Sequence, residues 1–278
     1  MGLYDRHYYR ESQGGFGGGG GGMQLAIPSL TPVVKKLLIV NVGVFVLCLL
    51  TGGPLSNIYA LFALDQKAVD GLQIWRLFTY QYLHSPGSFM HILFNMLGLY
   101  FLGPALERHF GGKKFFIFYT VCGTVGGILF LILQGAGVVA GFRLIGASGS
   151  ILGVLAACAI LFPQFMILFF FFPIPIRIAA VVLGLMFGFT ILTGGPNAGG
   201  EACHLGGMAA GGLWVLLERR GVSMKFRSTK SPWQRKIEQK EWEEEQIDHI
   251  LEKVHEHGLH SLSTREKNIL RRASERRQ

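Results

Sequence analysis

Long apolar runs separated by short polar stretches dominate the first 220 residues of this 278-residue chain. They fall at Leu37–Thr51, Phe89–Ala105, Phe115–Leu133, Leu144–Phe162, Ile178–Leu192 and Ala202–Leu217. A helix of about 20 apolar residues spans a bilayer because all its backbone hydrogen bonds close within the segment. The pattern therefore predicts six membrane-spanning helices. Several runs fall short of that length, so flanking residues must extend them or the bilayer must thin locally. Gly126-Gly127, Gly206-Gly207 and Gly211-Gly212 lie inside the runs. Small residues let helix backbones approach in lipid, where hydrophobicity cannot drive association. The expectation is an all-α, polytopic bundle over residues 31–220.

The segments between and around the runs complete the organisation. Residues 1–30 form a polar and then glycine-rich tail, Gly14 to Gly22 being nearly pure glycine. Such a composition buries too little surface to fold, so it reads as disordered. It shows no signal peptide, and Arg6 stands where a myristoylation signal wants Ser or Thr. Pro54 to Ser88 carries Tyr59, Phe62, Trp75, Phe78, Tyr80 and Tyr82, an aromatic content suited to the membrane interface. Phe165 to Pro175 is apolar but ends in two prolines, so it is expected as an inner-face connector, not a seventh span. Residues 221–278 turn soluble and predict a charged helical hairpin. Ser231-Pro232 would start its first helix, Gly258 would end it, and Ser263 with Glu266 would form a capping box for the second. Ile247, Ile250, Leu251, Leu259, Leu262, Ile269 and Leu270 would line its seam.

Half of the residues are hydrophobic and 15% are charged, with a net charge of +9. Lysine and arginine placement accounts for that charge. With a cytoplasmic N-terminus, eleven fall on the inner side (Lys35, Lys36, Arg108, Lys113, Lys114, Arg177, Arg219, Arg220, Lys225, Arg227 and Lys230) and three on the outer (Lys67, Arg76 and Arg143). That bias places both termini in the cytoplasm. No basic face coincides with a recognised nucleic-acid module, so no nucleic-acid partner is expected. The four cysteines, Cys48, Cys122, Cys158 and Cys203, all lie in apolar runs. They read as small buried thiols, and Cys203 beside His204 lacks the spacing of a metal site. No metal and no cofactor is expected.

The topology concentrates the candidate chemistry. The second, fourth and sixth runs all travel from outside to inside, so their first residues share one face of the membrane. Near those starts stand His91 and Asn95, Ser148, and His204. A hydroxyl at a helix N-terminus between glycines that permit close backbone approach suits a nucleophile, and a histidine at the same depth suits its base. His91 and Asn95, four apart, share one helical face and offer donors to an oxyanion. The backbone amide of Ser148 would be a third donor. Taken singly, a serine in Gly-Ala-Ser-Gly reads as a packing residue and a lone histidine as structural. Four polar groups on three spans at one depth are poorly explained by packing.

Trp75-Arg76, the run from His84 through Met90-His91-Ile92-Leu93-Phe94-Asn95-Met96, the box Gly146-Ala147-Ser148-Gly149, and Ala202-Cys203-His204-Leu205-Gly206-Gly207 with Gly211 together resemble the rhomboid intramembrane proteases over residues 35–220. The resemblance implies a six-helix rhomboid bundle with a short cytosolic helical tail. It implies a Ser-His dyad, with Ser148 as nucleophile and His204 as general base, and an oxyanion site of His91, Asn95 and the Ser148 amide. Trp75, Arg76, Gly146 and Gly149 match its binding and interfacial-loop positions. Substrates would be transmembrane helices of other membrane proteins, cut near the outer face, in a bacterial plasma membrane.

Two residues qualify that picture. Glu201, three before His204, would be able to orient it, but a water-exposed loop carboxylate is the expected reading, and no Asp or Glu lies within a run except near its ends. The family often carries an aromatic four residues after the nucleophile to stack on the imidazole, whereas this chain has Leu152. Two other functions stay open. One is a catalytically inactive rhomboid relative that binds membrane clients. The other is a transporter using His91 and His204 as relays, although the inner halves of the runs are apolar. The glycine-bearing loop Gly135–Gly146 offers irregular access to Ser148.

Overall fold

In a computed structural model, the described residues are 28–52, 57–66, 70–140, 143–169, 172–222, 246–247, 249–254, 257–264, 266–267 and 269–270. The glycine-rich tail up to residue 27 and the helix start at Ser231-Pro232 lie outside them. The chain divides into two units after Phe226.

The first unit is mostly helical. Its elements are α1 (Pro32–Leu50), α2 (Asn57–Phe62), α3 (Arg76–Thr79), a 3-10 turn at Tyr80–Tyr82, α4 (Phe89–Phe110), α5 (Gly112–Gly135), α6 (Ser148–Leu161), strands β1 (Met166–Phe169) and β2 (Phe172–Pro175), α7 (Ile176–Leu192) and α8 (Ala198–Arg219). Among the described residues three helices, α1, α4 and α5, are long and apolar enough to cross a membrane, and α6 and α7 are shorter apolar helices. The connector expected between the fourth and fifth runs is an antiparallel two-stranded hairpin, pairing Met166 with Pro175 and Phe169 with Phe172. The unit is thus not purely α. Prolines at positions 173 and 175 cannot extend a helix, and the strand that carries them pairs with the apolar segment Met166–Phe169.

Polar anchors tie the start of α1 to the end of α4, and the start of α5 to the end of α8. Pro32 opens α1, where its missing N–H costs nothing. The orphan amides of that first turn find the carboxylate of Glu107 on α4: Val33 N and Val34 N donate to it at 3.0 and 2.9 Å, and so does the Thr31 hydroxyl. Glu107 is buried, and three donors make its burial tolerable. Lys114 on α5 pairs with Glu218 on α8.

The centre of the unit is α6, ten of whose fourteen residues are buried. It is clasped by α5 and α8 through glycine. A Cβ on Gly207 would collide with the carbonyl of Gly149, and one on Gly211 with the carbonyl of Gly153. Gly206 meets the Cα of Gly126 on α5 in the same way. Backbone-to-backbone contact of this kind is how helices associate without a hydrophobic drive. It sets α6 and α8 in register from Gly149 onward, beginning next to Ser148.

In the second unit, helical residues flank a 3-10 turn at Leu259–Ser261. Gly258, at φ 76°, ends the first segment, its N–H bonded to the Val254 carbonyl. Ser263 and Glu266 form the reciprocal capping box: Ser263 N donates to Glu266 Oε2 at 2.7 Å and Glu266 N donates to Ser263 Oγ at 3.3 Å. Lys253 bridges to Glu266 at 3.0 Å. Those contacts hold the Glu266 carboxyl down at about 2. Ile250 and Leu262 are buried in the seam.

Candidate active site

Ser148 is the first residue of α6 and His204 the seventh of α8. The loop that delivers Ser148 is pinned from the other side. Leu64 and Leu144 form an isolated antiparallel bridge with both amides engaged, at 3.1 and 2.7 Å. Gly146 N then donates to the Tyr80 carbonyl at 3.0 Å. Gly146 has φ 120°, a conformation that favours glycine. The chain turns there into α6, and the Ser148 hydroxyl emerges half-buried at the helix start.

The Ser148 Oγ lies 2.7 Å from His204 Nε2. On the other side of the ring, His204 Nδ1 lies 2.8 Å from Glu201 Oε2. An ionised carboxylate only accepts, so Nδ1 carries the hydrogen and donates to Glu201. The lone pair of Nε2 therefore faces the serine, whose hydroxyl donates to it. This is the tautomer a general base needs.

Glu201 corrects the expectation of a solvated loop carboxylate. Helix α8 begins at Ala198, before the apolar run at Ala202, so Glu201 is in its first turn. One helical turn separates it from His204, and residues three apart share a face. Its second oxygen accepts from Asn197 Nδ2 at 3.1 Å. Glu201 and His204 side chains are 15% and 18% exposed, so water screens the pair little. The polar and glycine-rich stretch Asn197–Glu201 hid the helix start. An Asn at the cap with an acidic residue in the next turn was the available signal.

The aromatic partner missing at Leu152 is supplied by another helix. The Phe187 ring on α7 sits 5.0 Å from the His204 ring, tilted by 56°. Leu152 itself packs at the edge of the main core. Nothing in the local sequence around Ser148 could reveal this contact, because it joins residues brought together only by the packing of α7 on α8.

His91 arrives at the same place from α4. A Cβ on Gly146 would lie 2.7 Å from His91 Nε2 and 3.7 Å from Ser148 Oγ, so both groups flank one glycine. Asn95 is buried beneath it, with its Nδ2 donating to the His91 carbonyl at 2.8 Å. One amide hydrogen is thus engaged within α4. His84, in the loop before α4, packs its ring 5.2 Å from His91. Burial, with His91 adjacent, pushes His84 down to about 4, so it is neutral at ambient pH. The Tyr59 hydroxyl donates to its carbonyl.

Trp75 and Arg76 bond to the segment around Leu61–Asp65. Arg76 is buried, donates to the Ala63 carbonyl at 3.0 Å and lies 3.8 Å from Asp65. Trp75 is exposed, with Nε1 donating to the Leu61 carbonyl at 3.0 Å. Gly149 backs the site: a Cβ there would lie 2.7 Å from Cys203 Sγ. Behind Ser148, Ser150 donates to Gln81 Oε1 at 2.8 Å, a buried polar pair that the motifs did not indicate. The four cysteines are free and buried. Among the described residues no three His, Cys, Asp or Glu side chains group as a metal site.

Comparison with known proteins agrees with this architecture. Residues 71–221 match the Rhomboid domain, and residues 234–276 match a family of unknown function (DUF6576). The chain belongs to the rhomboid family and is an integral membrane protein in a lipid bilayer. It is 30% identical over 203 residues to RHOMBOID-like protein 12, mitochondrial, of Arabidopsis thaliana, covering 67% of this chain and 59% of that protein. It is 30% identical over 174 residues to RHOMBOID-like protein 4 of the same plant, covering 60% and 41%. To the rhomboid protease GlpG of Yersinia pestis it is 27% identical over 96 residues, covering 34% and 33%. The chain thus spans between 25% and 59% of the length of the first curated relatives it matches.

Proposed function

We propose that this protein is an intramembrane serine endopeptidase that cuts transmembrane helices of other membrane proteins near the outer face. The observation that carries the reading is the 2.7 Å contact between Ser148 Oγ and His204 Nε2. Ser148 attacks the scissile carbonyl carbon while Nε2 takes its proton. The tetrahedral oxyanion is met by the Ser148 amide, His91 and Asn95. Collapse breaks the C–N bond as His204 returns the proton to the leaving amine. Water, deprotonated by His204, then releases the acyl group from Ser148. No cofactor enters any of these steps.

The substrate must unwind locally, because a helix shields its carbonyls from attack. Gly146 and Gly149, lacking side chains, let an extended segment approach Ser148, and the loop carrying Trp75 and Arg76 borders the path. In this reading the bundle of residues 31–220 makes six spans, the 1–30 tail and the 221–278 hairpin are cytosolic, and the setting is a bacterial plasma membrane. A catalytically inactive, client-binding relative needs no hydroxyl bonded to a correctly protonated imidazole. Proteoliposomes holding the wild-type chain should cleave a single-span test substrate, and those holding Ser148→Ala should leave it intact; equal cleavage by the two would refute the assignment.

A further inference from the structure

We propose that Glu201 is a positioning residue for His204, so that this site works as a carboxylate, histidine and serine in series and not as a bare Ser-His dyad. The inference rests on the reading of Ser148 and His204 as nucleophile and base.

Both oxygens of Glu201 are committed. Oε2 accepts from His204 Nδ1 at 2.8 Å and Oε1 accepts from Asn197 Nδ2 at 3.1 Å. The carboxylate is therefore held from two sides on the first turn of α8, where the helix dipole favours a negative charge. Two consequences follow for the chemistry. Before reaction, the carboxylate fixes the imidazole with its lone pair toward Ser148 Oγ. During reaction, Nε2 takes the serine proton and the ring becomes an imidazolium, with a carboxylate 2.8 Å from its other nitrogen. The positive charge exists only after proton transfer begins, so the added attraction acts on the transition state more than on bound substrate. In a site that is mostly shielded from water, such a charge-assisted bond is stronger than a neutral one.

A helix-capping role would look different. It would stabilise α8 whether or not substrate reacts, and any hydrogen-bonding side chain of similar length would serve. Gln at position 201 keeps the length and the bond to Asn197 but removes the charge and lets the amide present its NH2 to Nδ1, favouring the wrong tautomer.

The test uses the full chain in liposomes, with a fluorophosphonate probe and a single-span test substrate. Glu201→Gln should lower the labelling rate and kcat by about 10²-fold while leaving KM within about twofold, the range expected when base catalysis is impaired. Glu201→Asp, which keeps the charge, should recover at least about tenfold of that loss. Thermal unfolding of the two variants should agree closely. The proposal is overturned if Glu201→Gln stays within about twofold of wild type, or if kcat falls only in step with lost stability and Asp recovers nothing. Failure of the wild-type chain to label at all would instead count against the Ser148 and His204 reading itself.

Discussion

Phe187 on α7 holds its ring 5.0 Å from the imidazole of His204 on α8. It takes over the confining role that Leu152, one turn after Ser148, cannot supply. An aromatic contact adds about 0.5–1.5 kcal/mol beyond its area. Loss of that restraint in Phe187→Ala should lower kcat by about 3- to 10-fold, with Phe187→Tyr near wild type. Unchanged turnover in Phe187→Ala would mean that Glu201 and Ser148 alone fix the ring.

The approach of Ser148 to His204 is set beside them, where Gly149, next to Ser148, and Gly207, one turn after His204, touch through their backbones. Gly207→Ala should push α8 from α6, destabilise the unit by about 1–3 kcal/mol, and abolish labelling of Ser148. Gly43→Ala on α1, where a Cβ meets nothing within 4 Å, is the control and should be tolerated. Both variants labelling as well as wild type would show that the glycine contact does not govern the site.

Much of this was readable along the chain, for physical reasons. Each apolar run lies largely within a helix because lipid leaves the backbone few other ways to satisfy itself. Ser148 and His91 fall at helix starts because the runs begin there. What escaped was tertiary or hidden by composition. The start of α8 is polar and glycine-rich, so Glu201 read as loop. Phe187 lies 17 residues from His204 on another helix, with no local motif to link them. The hairpin at Met166–Pro175 looked like a featureless apolar connector, since periodicity does not distinguish a short apolar ribbon from an interfacial coil.

The oxyanion assignment makes its own prediction. His91 and Asn95 reach the same end of α4, and His91 Nε2 shares Gly146 with the Ser148 hydroxyl. Removing one such donor costs about 10²–10³ in kcat. His91→Ala and Asn95→Ala should each fall in that range with the fold intact by thermal unfolding. Turnover within about threefold of wild type for both would assign them to packing instead.

Topology is open to direct labelling. Cysteines introduced at Asp70 and Lys113, both exposed, should differ: an impermeant maleimide added outside intact cells should reach position 70 and miss position 113. The native cysteines are buried and give a low background. Outside labelling at position 113 would reverse the orientation argued from the positive-charge bias.

The central claim is that Ser148 is a nucleophile activated by His204, and covalent labelling reads it most directly. A fluorophosphonate reacts at useful rate only with a serine whose proton has somewhere to go. Wild-type chain in liposomes should label at Ser148. Ser148→Ala should not label, and His204→Ala should label and cleave about 10⁴-fold more slowly, with the double variant no worse than either, because the pair acts as a unit. Equal labelling of wild type and His204→Ala would contradict the account, and so would a well-folded wild-type chain that neither labels nor cuts.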